Sequence, residues 1–444
     1  MRTNTKRDVT TLVTHEGAPA PNIGVLPQLR RSVLSCLLWE SEFYEDGEEI
    51  GKRIAALTAQ CLPEDVAALA VEAREHMHLR HVPLLLLREL ARHPLIKDRP
   101  QLLSKTMGRV LQRADEPAEF VALYWKDKKQ PLSKQVKRGL AWSMRRFSEY
   151  DLAKYNRDTE IKLRDVLFMS HARPKDDAQA ALWKKLAANE LATPDTWEVQ
   201  LSAGADKKET FERLIREKKL GYFALIRNLR NMEEVGVDVQ LVREAILARK
   251  GGAEKILPFR YIAAARHAKQ FEPQLDSAMQ AALAELPKLM GTTVVLVDNS
   301  GSMSARLSRK SDMTRSDAAA GVAIVARSVC ESVRVFAFSD NCVEVPPRTG
   351  MALRDAIHTA TRMGSTQLGA AVTSVNKLPH DRLIVITDEQ SADRVPEPKG
   401  LGYMINVASN RNGVGYGKWV HIDGWSDAVV RFITEHEGAD SVGK

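Results

Sequence analysis

Cysteine is scarce in this 444-residue chain. The four present, Cys36, Cys61, Cys330 and Cys342, are scattered, with no C-x-x-C pair among them. That argues against a disulfide scaffold and against a zinc knuckle. Long apolar runs are also missing. Val82–Leu87 is among the longest, at six residues, far short of the roughly 20 that a bilayer span needs. The first 20 residues contain no apolar core of signal-peptide length, so the expectation is a cytoplasmic protein that does not engage membranes. Single-signed charge is absent from the C-terminal third, where residues 291–444 hold 17 Lys+Arg and 17 Asp+Glu.

What is there is ordinary in bulk and uneven in place. Apolar residues make up 44% of the chain and charged residues 27%, which fits a folded globular protein and excludes wholesale disorder. The length suits two or three domains. The formal net charge is +8. Residues 121–175 alone hold 14 basic and 6 acidic side chains, an excess equal to that of the whole chain. A concentrated basic patch on a neutral background is the footprint of a polyanion-binding surface. A solvated helical face that binds nothing gives the same count.

Periodicity divides the chain. Residues 1–24 read as a flexible N-terminal segment. Residues 25–290 read as helix after helix, with breaks at Gly47, Pro63, Pro94, Pro117, Pro131, Pro174, Pro194, Gly204, Gly236, Gly251-Gly252 and Pro273. At Leu62-Pro63-Glu64-Asp65 a proline in the first turn is followed by acids that complement the helix dipole. Helix pairs of that length predict a HEAT-like repeat array; a plain bundle is the alternative. After Gly291 the pattern changes to β-branched runs at 293–297, 334–338 and 382–387, with two more at 403–407 and 418–422. Helical segments separate them, and a further one is expected over 425–435. Strand–helix alternation predicts a doubly wound parallel α/β sheet over 291–444, whose ligands bind beyond the C-terminal strand ends.

At those ends the sequence gathers oxygen donors. Asp298, Ser300 and Ser302 follow the first strand on one tight loop, Thr366 precedes a helix, and Asp388 ends the third predicted strand. Two carboxylates and three hydroxyls offer only hard ligands. They suit a divalent cation such as Mg²⁺, with water or an incoming oxygen completing the shell. A serine nucleophile elbow fits poorly, because Gly-x-Ser-x-Gly is not formed around Ser300. A hydrolase using Asp298 as nucleophile needs a well-placed basic residue that the motif does not single out.

Asp298-x-Ser300-x-Ser302, Thr366 and Asp388, in this order, resemble the metal-ion-dependent adhesion site of von Willebrand factor A domains. The helical part adds Lys154-Tyr155, then Arg164-Asp165-Val166-Leu167 running to Ser170-His171 and Pro174, and the stretch Ala73–Leu90. Together they resemble the Ro autoantigen family, in its bacterial branch, whose helical part is the TROVE module. The resemblance implies a helical ring. Its basic outer face binds small structured Y RNA, its hole takes single-stranded 3′ ends of misfolded RNA, and a C-terminal metal site bridges to an acidic group on a partner. It places Lys154 and His171 at Y RNA contacts. Where the family has its next basic residue this chain has Asp158, with Arg157 one position earlier.

The chemistry of the residues points the same way. Lys137, Arg138, Arg145 and Arg146 supply phosphate contacts. Tyr155, between Lys154 and Arg157, offers a face on which an unpaired base can stack. For Trp142 and Phe147 the default reading is core packing. The expectation is a monomeric, non-catalytic ribonucleoprotein scaffold acting in RNA quality control or processing. Its metal site would recruit a protein, an exoribonuclease being one candidate. A protein-binding solenoid adaptor and a hydrolase at Asp298 are the alternatives.

Overall fold

The computed structural model describes residues 12–34, 47–253, 256, 258–286, 288–307, 312–408, 410, 412–424, 429, 432, 433, 436 and 437. These form two compact units. One comprises 25–34 and 47–253; the other comprises 12–24 and the described residues from 256 onward.

The first unit is helical. Its described helices are α1 (Val25–Leu34), α2 (Gly47–Thr58), α3 (Pro63–Glu75), α4 (His81–Arg92), α5 (Leu102–Val110), α6 (Glu116–Trp125), α7 (Lys134–Met144), α8 (Glu149–Tyr155), α9 (Leu163–Ser170), α10 (Asp177–Ala188), α11 (Trp197–Ser202), α12 (Lys207–Arg216), α13 (Tyr222–Arg227), α14 (Leu229–Glu234) and α15 (Val239–Ala248). The punctuation read from the sequence produces them. Pro63 and Pro117 sit in the first turns of α3 and α6, and Ser133, Ser148, Asp176 and Asp206 cap α7, α8, α10 and α12 through their side chains. α3 packs on α5, α5 on α7 and α7 on α9, while α2 packs on α4 and α4 on α6. These two staggered rows are the HEAT-like stacking expected of a repeat array. One apolar core runs continuously beneath them from Leu29 to Leu186.

A buried ion pair crosses that core. Arg74 on α3 meets Glu116 on α6 at 2.8 Å, with the carboxylate fully buried. Glu116 also accepts the backbone N–H groups of Gln112 and Arg113 at 2.8 and 3.0 Å. Arg74 donates to the carbonyls of Val110 and Leu79. Burial pushes the Glu116 carboxyl up and the Arg74 guanidinium down, so the pair persists on the strength of its partners.

The second unit is the α/β layer. Its strands are β1 (Leu289–Asp298), β2 (Cys330–Phe338), β3 (Cys342–Glu344), β4 (Arg382–Thr387), β5 (Leu401–Asn406) and β6 (Trp419–Asp423), in the order β3-β2-β1-β4-β5-β6. Five of these strands run parallel. The sixth, β3, was not expected from the sequence and pairs antiparallel with β2 at the edge; three residues are too short to show periodicity. Helices α18 (Arg315–Val329), α19 (Gly350–Ala360) and α20 (Leu368–Val375) fall where strand–helix alternation put them. The helix expected over 425–435 lies largely outside the described residues.

Two features depart from the sequence reading. Helices α16 (Pro258–His267) and α17 (Glu272–Ala284) pack with the sheet unit, although 25–290 reads as one helical stretch. α16 packs against α18 within this unit. The fully buried Asp317 pairs with Arg266 at 2.8 Å, and Asp276 of α17 accepts the Met351 N–H at the start of α19. Residues 12–24, expected as a flexible tail, include a small docked turn. Val13 bridges Pro19, Thr14 Oγ1 and Ala18 N both donate to the Ser391 carbonyl, and Ala18 is buried. Those hydrogen bonds were invisible in a sequence whose partner lies about 375 residues away. Residues 1–11 lie outside the described ones.

Candidate metal centre and nucleic-acid interface

Asp298, Ser300, Ser302, Thr366 and Asp388 converge at the C-terminal edge of the sheet, all buried. β1 and β4 are adjacent and parallel, so their ends bring Asp298 and Asp388 to the same edge. Backbone bonds stitch the three loops together: Gly301 N donates to Gly364 O at 3.0 Å, and Ala392 N to Thr366 O at 2.9 Å. Within the first loop Ser300 N donates to Asp298 Oδ1 at 2.9 Å, and the Ser300 and Ser302 hydroxyls are 3.3 Å apart. Thr387 Oγ1 donates to Asp298 Oδ2 at 2.5 Å.

The electrostatics fit a cation. Burial first, and then the neighbouring Asp388, push the Asp298 carboxyl up to about 7. The neighbouring carboxylate repels the charge on Asp298, and a dication at the same place relieves that repulsion. The donor set is all oxygen.

Sequence reasoning missed Arg315. It is almost wholly buried in the first turn of α18, and its guanidinium lies 3.4 Å from Asp388 Oδ2. The only signal in the sequence was the capping box Thr314–Asp317 that fixes the start of this helix. A second ionic cluster sits beside the first. Glu389, with φ at +60°, is fully buried and pairs with His421 Nε2 at 2.5 Å; His421 Nδ1 lies 3.5 Å from Asp423, and Tyr416 stacks on the imidazole at 4.4 Å. The two carboxylates outweigh burial and raise His421 to about 9. A left-handed backbone is costly for a residue with a Cβ, and these side-chain partners anchor Glu389 there.

In the helical unit the basic residues separate by role. Lys137 Nζ on α7 lies 3.5 Å from His171 Nε2; His171 ends α9 in the left-handed conformation, exposed. Arg138 is half-buried on the same helix. Arg145 Nε instead donates to the Arg173 carbonyl at 3.0 Å, and Arg146 donates to the carbonyls of Leu111 and Gly108. These two arginines therefore join neighbouring elements as well as carrying charge. Lys154 Nζ and the Arg113 guanidinium lie 5.7 and 4.9 Å from the centre of the Tyr155 ring. Arg157 is exposed, and Asp158 pairs with Lys162 at 2.7 Å. Phe147 is core, in line with its default reading, whereas Trp142 is 37% exposed and belongs to the surface.

Two domain families match this chain. The TROVE domain matches residues 184–319, and the von Willebrand factor type A domain matches residues 293–390. The chain carries a TROVE domain and a von Willebrand factor A domain. The TROVE match takes in the later helices of the first unit and continues through α16, α17 and β1, while the basic stretch 121–175 precedes it. The von Willebrand factor A match ends just past Asp388, so all five oxygen donors lie inside it. Telomerase protein component 1 of Mus musculus is 27% identical over 232 residues, which is 49% of this chain and 8% of that protein. The crystal structure of the Deinococcus radiodurans RO (RSR) protein aligns with a TM-score of 0.59 at 16% identity, over 92% of this chain and 98% of that one. That likeness establishes the same fold, with helical repeats and an α/β domain in one polypeptide. Among the described residues no helix is long and apolar enough to cross a membrane.

Proposed function

We propose that this protein is an RNA-binding ribonucleoprotein scaffold. The observation that carries the reading is the placement of the chain's charge excess on one part of the helical unit, ahead of the stretch that matches the TROVE domain. There Lys137, Arg138 and His171 cluster, and Lys154 flanks Tyr155. The TROVE match and the Ro-like fold support RNA as the polyanion. The finer reading is a small structured noncoding RNA of Y type held by Lys154, His171 and their neighbours. Single-stranded 3′ ends of other RNAs bind the same unit, in RNA quality control or processing. Sequencing the RNA that copurifies with the protein tests this: a discrete small RNA with a base-paired stem supports it, and a pool that mirrors total cellular RNA opposes it.

The von Willebrand factor A unit then serves recruitment. Asp298, Ser300, Ser302, Thr366 and Asp388 would hold a divalent cation, Mg²⁺ by donor chemistry. Bound there, it supplies an open coordination position for an acidic side chain of a partner protein, such as an exoribonuclease. Both Asp298 oxygens accept hydrogen bonds from this chain's own groups, which suits a positioned ligand better than an attacking nucleophile.

A further inference from the structure

The turn at residues 12–20 is docked against the loop that follows Asp388. Gly17, at φ +99°, reverses the chain in a conformation that suits a residue without a Cβ. Val13 then bridges Pro19, and the Thr14 N–H donates to the Ala18 carbonyl at 2.9 Å. The turn offers two donors to the loop. The buried Thr14 hydroxyl donates to the Ser391 carbonyl at 2.7 Å, and the His15 N–H donates to Gln390 Oε1 at 2.7 Å. In return the Asn412 side-chain amide donates to the Val13 carbonyl at 2.9 Å. Ala18 is buried in the same apolar cluster as Val294, Leu296 and Val385 of the inner strands.

The loop residues that receive the turn lead straight to two of the oxygen donors. Gln390 is fully buried. Its Nε2 donates to the Asp388 carbonyl at 3.1 Å and to the Asn412 carbonyl at 2.9 Å, and its backbone N–H donates to Asp388 Oδ1 at 3.2 Å. Next to Ser391, Ala392 donates its N–H to the Thr366 carbonyl at 2.9 Å. Hydrogen bonds thus run from the turn through Gln390 to Asp388, and through residues 391–392 to Thr366.

We propose that residues 12–20 are a positioning clasp for the divalent-ion site. Docking of the turn fixes the loop that carries Asp388 and abuts Thr366, and so sets the affinity for the ion. The inference rests on the metal reading above and adds to it control by a segment 375 residues away in sequence. Groups behind the ligands orient them, and losing such groups typically weakens metal binding about 10- to 100-fold. The coupling is reciprocal: whatever factor docking contributes to ion affinity, the bound ion returns to docking.

The test uses the full chain. Thr14→Val removes the hydroxyl at nearly constant shape. Gly17→Val strains the turn through its backbone and leaves every loop residue in place. In calorimetric titration the double variant should bind Mg²⁺ on the order of tenfold more weakly than the wild-type protein. Thr14→Ser, which keeps the hydroxyl, should bind as the wild type does. A second readout needs no variant. Hydrogen exchange at the Thr14, His15, Gly17 and Ala18 amides of the wild-type protein should slow at saturating Mg²⁺ by the same factor. A turn that is merely packed there exchanges at one rate with and without the ion. Asp298→Asn with Asp388→Asn should remove the slowing. Wild-type Mg²⁺ affinity in the double variant overturns the clasp and leaves the metal site standing, and so does exchange that Mg²⁺ does not change. Failure of the wild-type protein to bind Mg²⁺ overturns both.

Discussion

Replacing Lys137 and Arg138 by alanine isolates the phosphate-binding part of the patch. Neither is fully buried, and both lie on α7. Each phosphate neutralised by a side chain contributes about 0.7 to 0.9 to the slope of log affinity against log salt. Removing both cations should flatten the slope by about 1.4 to 1.8. Between 50 and 200 mM salt the wild-type protein should therefore lose about 7- to 12-fold more affinity than the double variant. Fluorescence anisotropy with a labelled stem-loop RNA, titrated at four salt concentrations, measures this directly. Because the two side chains act on phosphate, an unrelated duplex should give the same change in slope. Arg145 and Arg146 are poor substitutes in this experiment, since they also hold the Arg173, Leu111 and Gly108 carbonyls. Parallel salt lines for wild type and double variant would refute the assignment of this helix face to RNA.

Asp298→Asn with Asp388→Asn should abolish Mg²⁺ binding in calorimetry and leave RNA affinity within twofold, because the charge excess lies in the other unit; unchanged Mg²⁺ binding removes the metal site. His421, facing Glu389 and Asp423 with Tyr416 stacked on it, has a folded pKa raised to about 9 against about 6.5 unfolded. Its contribution, at most about 3 kcal/mol by that shift, is complete below pH 6.5, shrinks above it and is lost as pH rises through 9. Chemical denaturation between pH 6 and 10 should show this loss in the wild-type protein and a flatter profile in His421→Gln. Glu116→Ala should cost about 3–5 kcal/mol by leaving Arg74 buried without its partner, a drop of roughly 6–20 °C in the melting of the helical unit; a melting temperature within 2 °C of wild type contradicts that account.

Much of this fold is legible in the residues because local rules and burial agree. Leu62-Pro63-Glu64-Asp65 starts a helix wherever it stands, and Val294–Val297 can only be an inner strand. The oxygen donors were legible for the same reason. Asp298 and Asp388 end adjacent parallel strands, and strand ends are the one place where a fully buried sheet admits polar side chains. Longer-range facts were not legible. Whether α16 belongs with the helices before it or the sheet after it depends on contacts such as Arg266 with Asp317, 51 residues on. The Arg315–Asp388 pair spans 73 residues, and no spacing rule joins a helix start to a strand end. Trp142 misled because a tryptophan in an amphipathic helix is more often core than surface.

The charges at the sheet edge follow a common logic. The inner strands, buried on both faces, leave their C-terminal ends as the place where polar side chains gather, and there each buried charge needs a counterpart. Glu389 and Asp423 share His421; Asp388 has Arg315; Asp298 has only neutral donors, Thr387 and the Ser300 amide among those described. Asp298 is thus the carboxylate whose charge is least compensated, and its carboxyl is accordingly raised to about 7. On the metal reading, a dication here meets one carboxylate without a counter-charge and one already shared with an arginine. Such a site holds its ion less tightly than two free carboxylates would. On that reading it leaves positive charge that an acidic side chain from a partner would balance. The proposed recruitment role is consistent with such partial compensation, which permanent metal storage would not need.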